Sequence, residues 1–218
     1  MIRYADPHPG PAAPADYEAV VERLEEIFDD GWRDHRDELA GLVAVLARDD
    51  MALRQLITRH CGEGTWPTMA GAPSFDLRKT PRYRLRLNLW YPPASFTEGR
   101  QEHANYHSVG QCHNHAFDFF TACVFGPGYD SRFFRLSKDD IRLDADEDAA
   151  LVDEGVLTLQ PGEVWYVERD RDFHTQQWPS AYAITLNLIP RPGRQESARQ
   201  YLIDEDALKV LKVVDGRA

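Results

Sequence analysis

Three histidines have the residue type and the spacing of a metal site. His113 and His115 lie two residues apart in a segment with strand character, and His174 follows a Pro-Gly-Glu turn at 161–163. Side chains alternate along a strand, so residues at i and i+2 point to the same face. A third imidazole from a distant strand can complete a set of neutral nitrogen ligands for a divalent metal. Such a set leaves coordination positions open, which predicts a catalytic rather than a structural site.

The elements that must position these histidines fall into two regions. Residues 15–61 have apolar positions at i, i+3, i+4 and i+7 and Asp16 as a cap, which predicts helices. From Tyr83 onward the apolar residues alternate, and Gly and Pro residues separate short apolar runs. Strand-like runs cover 83–90, 112–125, 132–136, 155–159, 164–167, 174–178 and 182–189. Short strands at this spacing are typical of a β-barrel or sandwich.

These patterns divide the chain into three predicted parts. We expect a helical extension over residues 1–75 that packs on a barrel over residues 76–192. Residues 193–218 are predicted to form a C-terminal tail with some helix. The polar stretch 95–111 is predicted to be a long connection, and long loops near a site are often lids.

The spacing around the first two histidines resembles the first cupin motif. His113 and His115 are followed by three residues, Phe119, six residues and Gly126. In the motif an acidic metal ligand stands where this chain has Phe119. The stretch from Gly155 to Pro161 resembles the turn of the second motif, and His174 resembles its ligand.

The resemblance covers about residues 80–190 and implies a mainly β fold. It implies a cupin double-stranded β-helix barrel, with the N-terminal helices as an extension. Because the acidic ligand is missing, the site resembles that of the three-histidine thiol dioxygenases (the cysteine dioxygenase-like group). This implies Fe(II) held by His113, His115 and His174, with O2 as co-substrate. The outer-sphere Ser-x-His-x-Tyr of that group falls on Thr185, Asn187 and Ile189, so the resemblance supports the metal site but not a cysteine substrate.

The first predicted strand offers a counter-charge for an anionic substrate. Arg84, Arg86, Asn88 and Trp90 share one face, and leucines occupy the other. If the polar face looks into the barrel, Arg84 or Arg86 could bind a carboxylate in bidentate fashion. The alternative is that the leucines pack inward and the arginines are solvated.

Further residues are predicted to shape the pocket around the metal. The substrate-binding candidates are Arg84, Arg86, Trp90, Phe117, Phe119 and Gln176; the outer-sphere or catalytic candidates are Tyr166, Tyr182, Thr185 and Asn187. His103 and His107 could supply an alternative ligand or a proton shuttle if their loop folds over the site. The alternative is that both are simply exposed.

Three functions are consistent with these residues. The first is a non-haem Fe(II)-dependent oxygenase of dioxygenase type that acts on a small anionic metabolite, such as a thiol or an amino or keto acid. The second is a non-oxidative lyase or isomerase, in which the metal acts as a Lewis acid. The third is a module that binds a small molecule. Imidazole also suits Ni, Mn and Zn, so the sequence does not choose the metal.

Composition narrows the partners. The chain has 218 residues and a net charge of −11, which disfavours nucleic-acid and anionic-membrane binding. Its three cysteines form no metal-binding or disulfide pattern, and no apolar run is long enough to span a bilayer. We therefore expect a cytoplasmic protein. Cupins often pair through barrel edges, which makes a homodimer one option.

Overall fold

Among the described residues, three α-helices lie in the N-terminal part of the chain and a fourth connects two strands of the barrel. The structure is a computed structural model that describes residues 1–5, 16–63, 73–137, 143–191 and 199–215. The helices are α1 (Tyr17–Asp30), α2 (Arg36–Ala47), α3 (Met51–Glu63) and α4 (Arg100–His107). Asp16 caps α1, as predicted, because its carboxylate accepts a 2.9 Å hydrogen bond from the Ala19 amide. None of the helices in the described ranges is long and apolar enough to cross a membrane.

Twelve strands in the described residues form two antiparallel sheets of six. The strands are β1 (Ile2–Ala5), β2 (Ser74–Lys79), β3 (Tyr83–Trp90), β4 (Cys112–Asn114), β5 (Phe119–Phe125), β6 (Asp130–Leu136), β7 (Leu151–Thr158), β8 (Glu163–Val167), β9 (Asp172–Gln176), β10 (Ala183–Pro190), β11 (Arg199–Asp204) and β12 (Lys209–Asp215). The first sheet has the order β1-β8-β5-β10-β3-β2, and the second has the order β12-β11-β4-β9-β6-β7. The predicted fold class is confirmed: mainly β, with two antiparallel sheets and N-terminal helices.

The N-terminal helices cover the outer face of the first sheet. Leu39 and Leu42 of α2 are fully buried in one apolar cluster with Leu85 and Leu87 of β3. Because side chains alternate along β3, the face that carries Arg86 must point away from the helices. Burying the leucines under the helices therefore turns the polar face of β3 toward the second sheet.

A second apolar cluster fills the space between the two sheets. Trp90, Phe119, Phe133 and Trp165 are each at most 3% exposed and belong to this cluster. The Phe133 and Trp165 rings, from opposite sheets, meet edge to face with centroids 5.2 Å apart. This inner core packs against the strands that carry the predicted histidines.

Three sequence predictions about elements are wrong. The described part of the tail forms β11 and β12 rather than helix: Tyr201 and Ile203 are buried at alternate positions of β11, and Val210 of β12 is buried beside them. The run 112–125 is not one strand: β4 and β5 belong to different sheets, and the chain crosses between them at 115–118. The stretch 95–111 is not an irregular loop, because it contains α4.

The barrel also extends beyond its predicted boundaries. β1 pairs with β8, and β2 starts at Ser74, so strands precede residue 76. At the other end, β11 pairs with β4 and places Leu202 opposite His113. The tail thus forms the neighbouring strand for the first histidine.

Candidate metal centre

The three predicted histidines come together on the inner side of the second sheet. His113 of β4 and His174 of β9 are direct partners in the strand register. His115 follows the end of β4, where the chain begins to cross to the first sheet. The ring centroids lie 4.8 Å apart for His113 and His115, 4.8 Å for His113 and His174, and 5.1 Å for His115 and His174. The three histidines predicted from their spacing therefore form one compact cluster.

Hydrogen bonds orient two of the imidazoles. Nδ1 of His113 lies 2.8 Å from the backbone carbonyl of Gln111, which can only accept, so Nδ1 donates and Nε2 keeps its lone pair. Nδ1 of His174 lies 3.3 Å from Oγ of Ser131. That hydroxyl donates to the Thr175 carbonyl at 3.3 Å, so its oxygen is free to accept from His174. Both rings thus present Nε2 as a metal ligand.

The cluster fits a divalent metal. Nε2 of His115 and Nε2 of His174 are 2.9 Å apart, and the candidate ligand atoms of the three histidines all lie within 4.8 Å of one another. At a metal–nitrogen distance of about 2.0–2.1 Å, a separation of 2.9 Å is that of two ligands at nearly a right angle. Burial lowers the pKa of all three imidazoles, which keeps them neutral as ligands must be.

Aromatic rings surround the three histidines. The centroid of His115 lies 5.2 Å from that of Phe117 and 4.7 Å from that of Phe119. On the other side, Phe133 lies 5.5 Å from His174. Phe119 therefore places an apolar ring next to His115. A bound divalent ion would have no carboxylate among these three ligands to offset its charge.

A cavity of about 320 Å³ opens beside the histidines, between the two sheets and α4. Its wall combines one cationic side chain, several amides and several aromatic rings. The lining residues are Arg86, Asn88, Trp90, Tyr106, His107, Ser108, His113, His115, Phe117, Phe119, Gln176, Asn187 and Gln200. The structure thus brings five of the six predicted substrate-binding residues, and Asn187, to one space next to the candidate metal ligands.

The two arginines of β3 have different surroundings. Arg84 forms an ion pair with Asp76 of β2 and is not among the lining residues. Arg86 lines the cavity, and its Nε has no hydrogen-bond partner. Burial lowers the pKa of Arg86, because withdrawal from water disfavours the charged guanidinium. Of the two sequence candidates, Arg86 is the one placed to meet a substrate anion.

The outer-sphere candidates separate in the same way. Tyr166 points to the helix side, where its hydroxyl donates a 3.0 Å hydrogen bond to Asp118. Tyr182 is 54% exposed and contacts Tyr91 edge to face. These two predictions are wrong in placement, since neither side chain lines the cavity. Thr185 accepts a 3.0 Å hydrogen bond from Nε1 of Trp90 and so fixes that ring.

Both histidines of α4 are buried, so the alternative that they are exposed is wrong, and His107 lines the cavity. His107 stacks on Trp90 with centroids 4.1 Å apart, and its Nε2 lies 3.0 Å from the Leu89 carbonyl. His103 stacks on Tyr91 and Trp178. Burial lowers the pKa of His107 to about 3 and that of His103 to about 4. Both are neutral at pH 7, and neither belongs to the three-histidine cluster.

Sequence reasoning missed three residues that support the site. Ser131 of β6 orients His174, Tyr129 accepts a 3.4 Å hydrogen bond from Nε2 of Gln176, and Asn88 lines the cavity. Only Asn88 had a signal, because it shares the face of Arg86. Ser131 lies on a separate strand, and nothing in its local sequence indicates which histidine it meets.

The hydrogen bond from His174 to Ser131 should tighten metal binding. Ser131→Ala removes the acceptor for the His174 Nδ1 proton, and loss of such an outer partner weakens metal affinity about 10–100-fold. We expect competition with a chelator of known affinity to show this loss. Ser137→Ala is the matched control, because that exposed hydroxyl bonds the Ala150 carbonyl away from the cluster. Equal affinities for wild type and Ser131→Ala would contradict the role.

Known proteins resemble this chain in structure more than in sequence. No protein family matches the sequence, and no curated protein does. A hydroquinone 1,2-dioxygenase from Sphingomonas sp. TTNP3 is 12% identical, with a TM-score of 0.35 over 57% of this chain and 70% of that one. A cupin domain from Bordetella pertussis Tohama I is 9% identical, with a TM-score of 0.32 over 58% of this chain and 100% of that one.

A structure described as a DMSP lyase is 15% identical to this chain, with a TM-score of 0.32 over 56% of its length. The chain spans 48%, about half, of that lyase. The similar structures thus include cupin domains, dioxygenases and a lyase at low identity. They assign neither a reaction nor a substrate to this chain.

Proposed function

We propose that this protein is a non-haem Fe(II)-dependent oxygenase that oxidises a small anionic metabolite with O2. The observation that carries the proposal is the position of three neutral, converging imidazoles next to a cavity whose opposite wall holds Arg86. A purely structural site would be closed by a fourth protein ligand. Among the described residues, the candidate ligand group consists of these three histidines alone.

His113, His115 and His174 would hold the metal. Fe(II), when bound there, would supply a redox-active centre with open positions for a substrate and O2. Three neutral ligands leave its double positive charge uncompensated, which favours an anionic substrate over a neutral one. Imidazole binds other divalent metals too, so the choice of iron is part of the proposal.

The remaining side chains would bind the substrate and exclude water. Arg86 can bind an anionic group from β3, on the wall opposite the histidines. Phe117, Phe119 and Trp90 give that space apolar walls, and water exclusion strengthens each polar contact inside. His107 of α4 covers the same space from above.

Two amides of the cavity have fixed orientations. Asn187 accepts a 3.0 Å hydrogen bond from Oγ1 of Thr121, and Gln176 donates to Tyr129. Their free amide atoms can bind polar groups of a substrate. Asn187 occupies the position where the cysteine dioxygenase-like group has a titrating histidine, and an amide exchanges no proton. This difference supports a substrate other than cysteine.

Anaerobic reconstitution followed by O2 measurement tests the proposal. The protein is loaded with Fe(II) without O2, its metal content is measured, and O2 uptake is recorded with thiols, amino acids, keto acids and hydroxy acids. We expect one iron per chain and substrate-dependent O2 uptake, with none in the zinc-loaded control. Full zinc occupancy after purification without added metal, together with no O2 uptake by the iron form, would favour a Lewis-acid lyase or isomerase instead.

A further inference from the structure

Two buried polar atoms in the cavity wall have no hydrogen-bond partner. They are Nε of Arg86 and Oδ1 of Asn88. Asn88 is only 4% exposed. Both residues line the cavity from β3. Buried polar groups in folded proteins are nearly always paired. Because the two residues that carry these orphaned atoms both line the same cavity, the pair points to a ligand that satisfies both.

The two atoms require opposite partners. The Arg86 guanidinium can only donate, and an anionic oxygen is its strongest acceptor. Oδ1 of Asn88 can only accept, so it requires an O–H or N–H group. The two residues are separated by one position on the same face of β3, with Cα atoms about 6.6 Å apart. The ligand must therefore carry an anionic group and a hydrogen-bond donor close together.

The charge of the cavity decides which donor fits. Arg86 is the only lysine or arginine among the residues that line it, and no aspartate or glutamate lies among them. An ammonium group would lie next to the guanidinium, and the cavity wall offers no carboxylate to compensate its charge. A bound divalent metal would add positive charge and increase this repulsion. A neutral hydroxyl group can donate to Asn88 without that repulsion.

The remaining walls define the body of the ligand. Trp90, Phe117 and Phe119 offer aromatic surfaces, and a cavity of about 320 Å³ is at the small end for ligand pockets. We infer that the cavity binds a small 2-hydroxy acid with an apolar or aromatic body, its carboxylate on Arg86 and its hydroxyl on Asn88. The inference rests on the proposed function in that it takes this cavity as the substrate site.

Four acids and amides with one carbon skeleton test the ligand class. Mandelate carries both groups, phenylacetate lacks the hydroxyl, phenylglycine replaces it with an ammonium group, and mandelamide lacks the negative charge. Titration calorimetry with the zinc-loaded protein measures binding without any oxidation. We expect mandelate to bind at least about tenfold more tightly than each of the other three.

Variants of β3 assign each preference to a residue. Arg86→Gln should remove the preference for mandelate over mandelamide, and Asn88→Leu the preference for mandelate over phenylacetate. Asn88→Asp should shift the preference toward phenylglycine, because the new carboxylate can pair with an ammonium group. Arg84→Gln is the matched control and should bind like wild type, since Arg84 is paired with Asp76 outside the cavity. Circular dichroism checks that each variant is folded.

Several outcomes would overturn this inference. The first is that wild-type protein binds phenylglycine or phenylacetate as tightly as mandelate. The second is that it binds none of the four compounds. The third is that Arg84→Gln and Arg86→Gln lose mandelate affinity equally. None of these depends on O2 uptake. Preserved mandelate selectivity with no O2 uptake by the iron form would instead reject the oxygenase and leave the ligand class standing.

Discussion

Replacing His113 with alanine should abolish stoichiometric metal binding. After anaerobic loading with Fe(II) and dialysis, we expect about one metal ion per wild-type chain and less than about a tenth of that in His113→Ala. The reason is that catalytic sites of this kind depend on three protein ligands, and only His115 and His174 would remain. Loss of an outer partner alone weakens affinity about 10–100-fold, and loss of a ligand should weaken it further. Elemental analysis measures the result.

A second histidine provides the control for this substitution. His35 lies before α2, within 3.4 Å of Glu38 and far in the fold from the cluster, so His35→Ala should keep full metal content. Metal should raise the melting temperature of wild type and His35→Ala, because a ligand that binds only the folded state stabilises it. It should leave that of His113→Ala unchanged. One equivalent of tightly bound metal in His113→Ala would remove the basis of the proposed function.

The histidine cluster could be predicted in part because two of its members are close in sequence. His113 and His115 are two residues apart, so their side chains stay close even though His115 lies just past the end of β4. That His174 lies next to them could be predicted only from the resemblance to cupins, in which the two motifs lie on neighbouring strands. The structure pairs those strands directly, with His113 opposite His174.

The orientation of β3 could not be read from its own sequence. Alternation shows that Arg86 and Leu87 lie on opposite faces, but not which face is inside. That choice depends on α2, whose leucines bury Leu85 and Leu87 on the outer side. The same limit explains the error for Tyr166, whose face of β8 packs against the helices.

Helix α4 and the two strands of the tail were missed because tertiary contacts stabilise them. α4 has no apolar stripe, and its buried residues are His103 and His107. Their rings stack on Trp90, Tyr91 and Trp178, which are distant in sequence. In the tail, β11 is likewise held by pairing with β4, and β12 by pairing with β11. Neither contact can be deduced from a local pattern.

The turn between β5 and β6 should be highly sensitive to one added methyl group. Gly128 has a φ of +73°, and a Cβ placed there would lie 1.7 Å from the Leu159 carbonyl oxygen and 2.9 Å from its carbon. The neighbouring backbone is held in place, because the Leu159 amide donates to the Tyr129 carbonyl at 3.0 Å. For Gly128→Ala we expect the free energy of unfolding to fall by about 3 kcal/mol or more, since strain and overpacking add. Urea denaturation followed by circular dichroism measures it.

Gly110→Ala separates the steric cause from the backbone strain. Gly110 has nearly the same φ, +71°, but an added Cβ would meet no atom within 4 Å. Both substitutions place an alanine in the left-handed region, which costs about 1 kcal/mol. The difference between them therefore measures the close approach of the two backbones. If the two variants lost equal stability, the segments around Gly128 and Leu159 would have to be further apart than described. Gly128 leads into β6, which carries Ser131. Such a result would therefore also count against the hydrogen bond between Ser131 and His174.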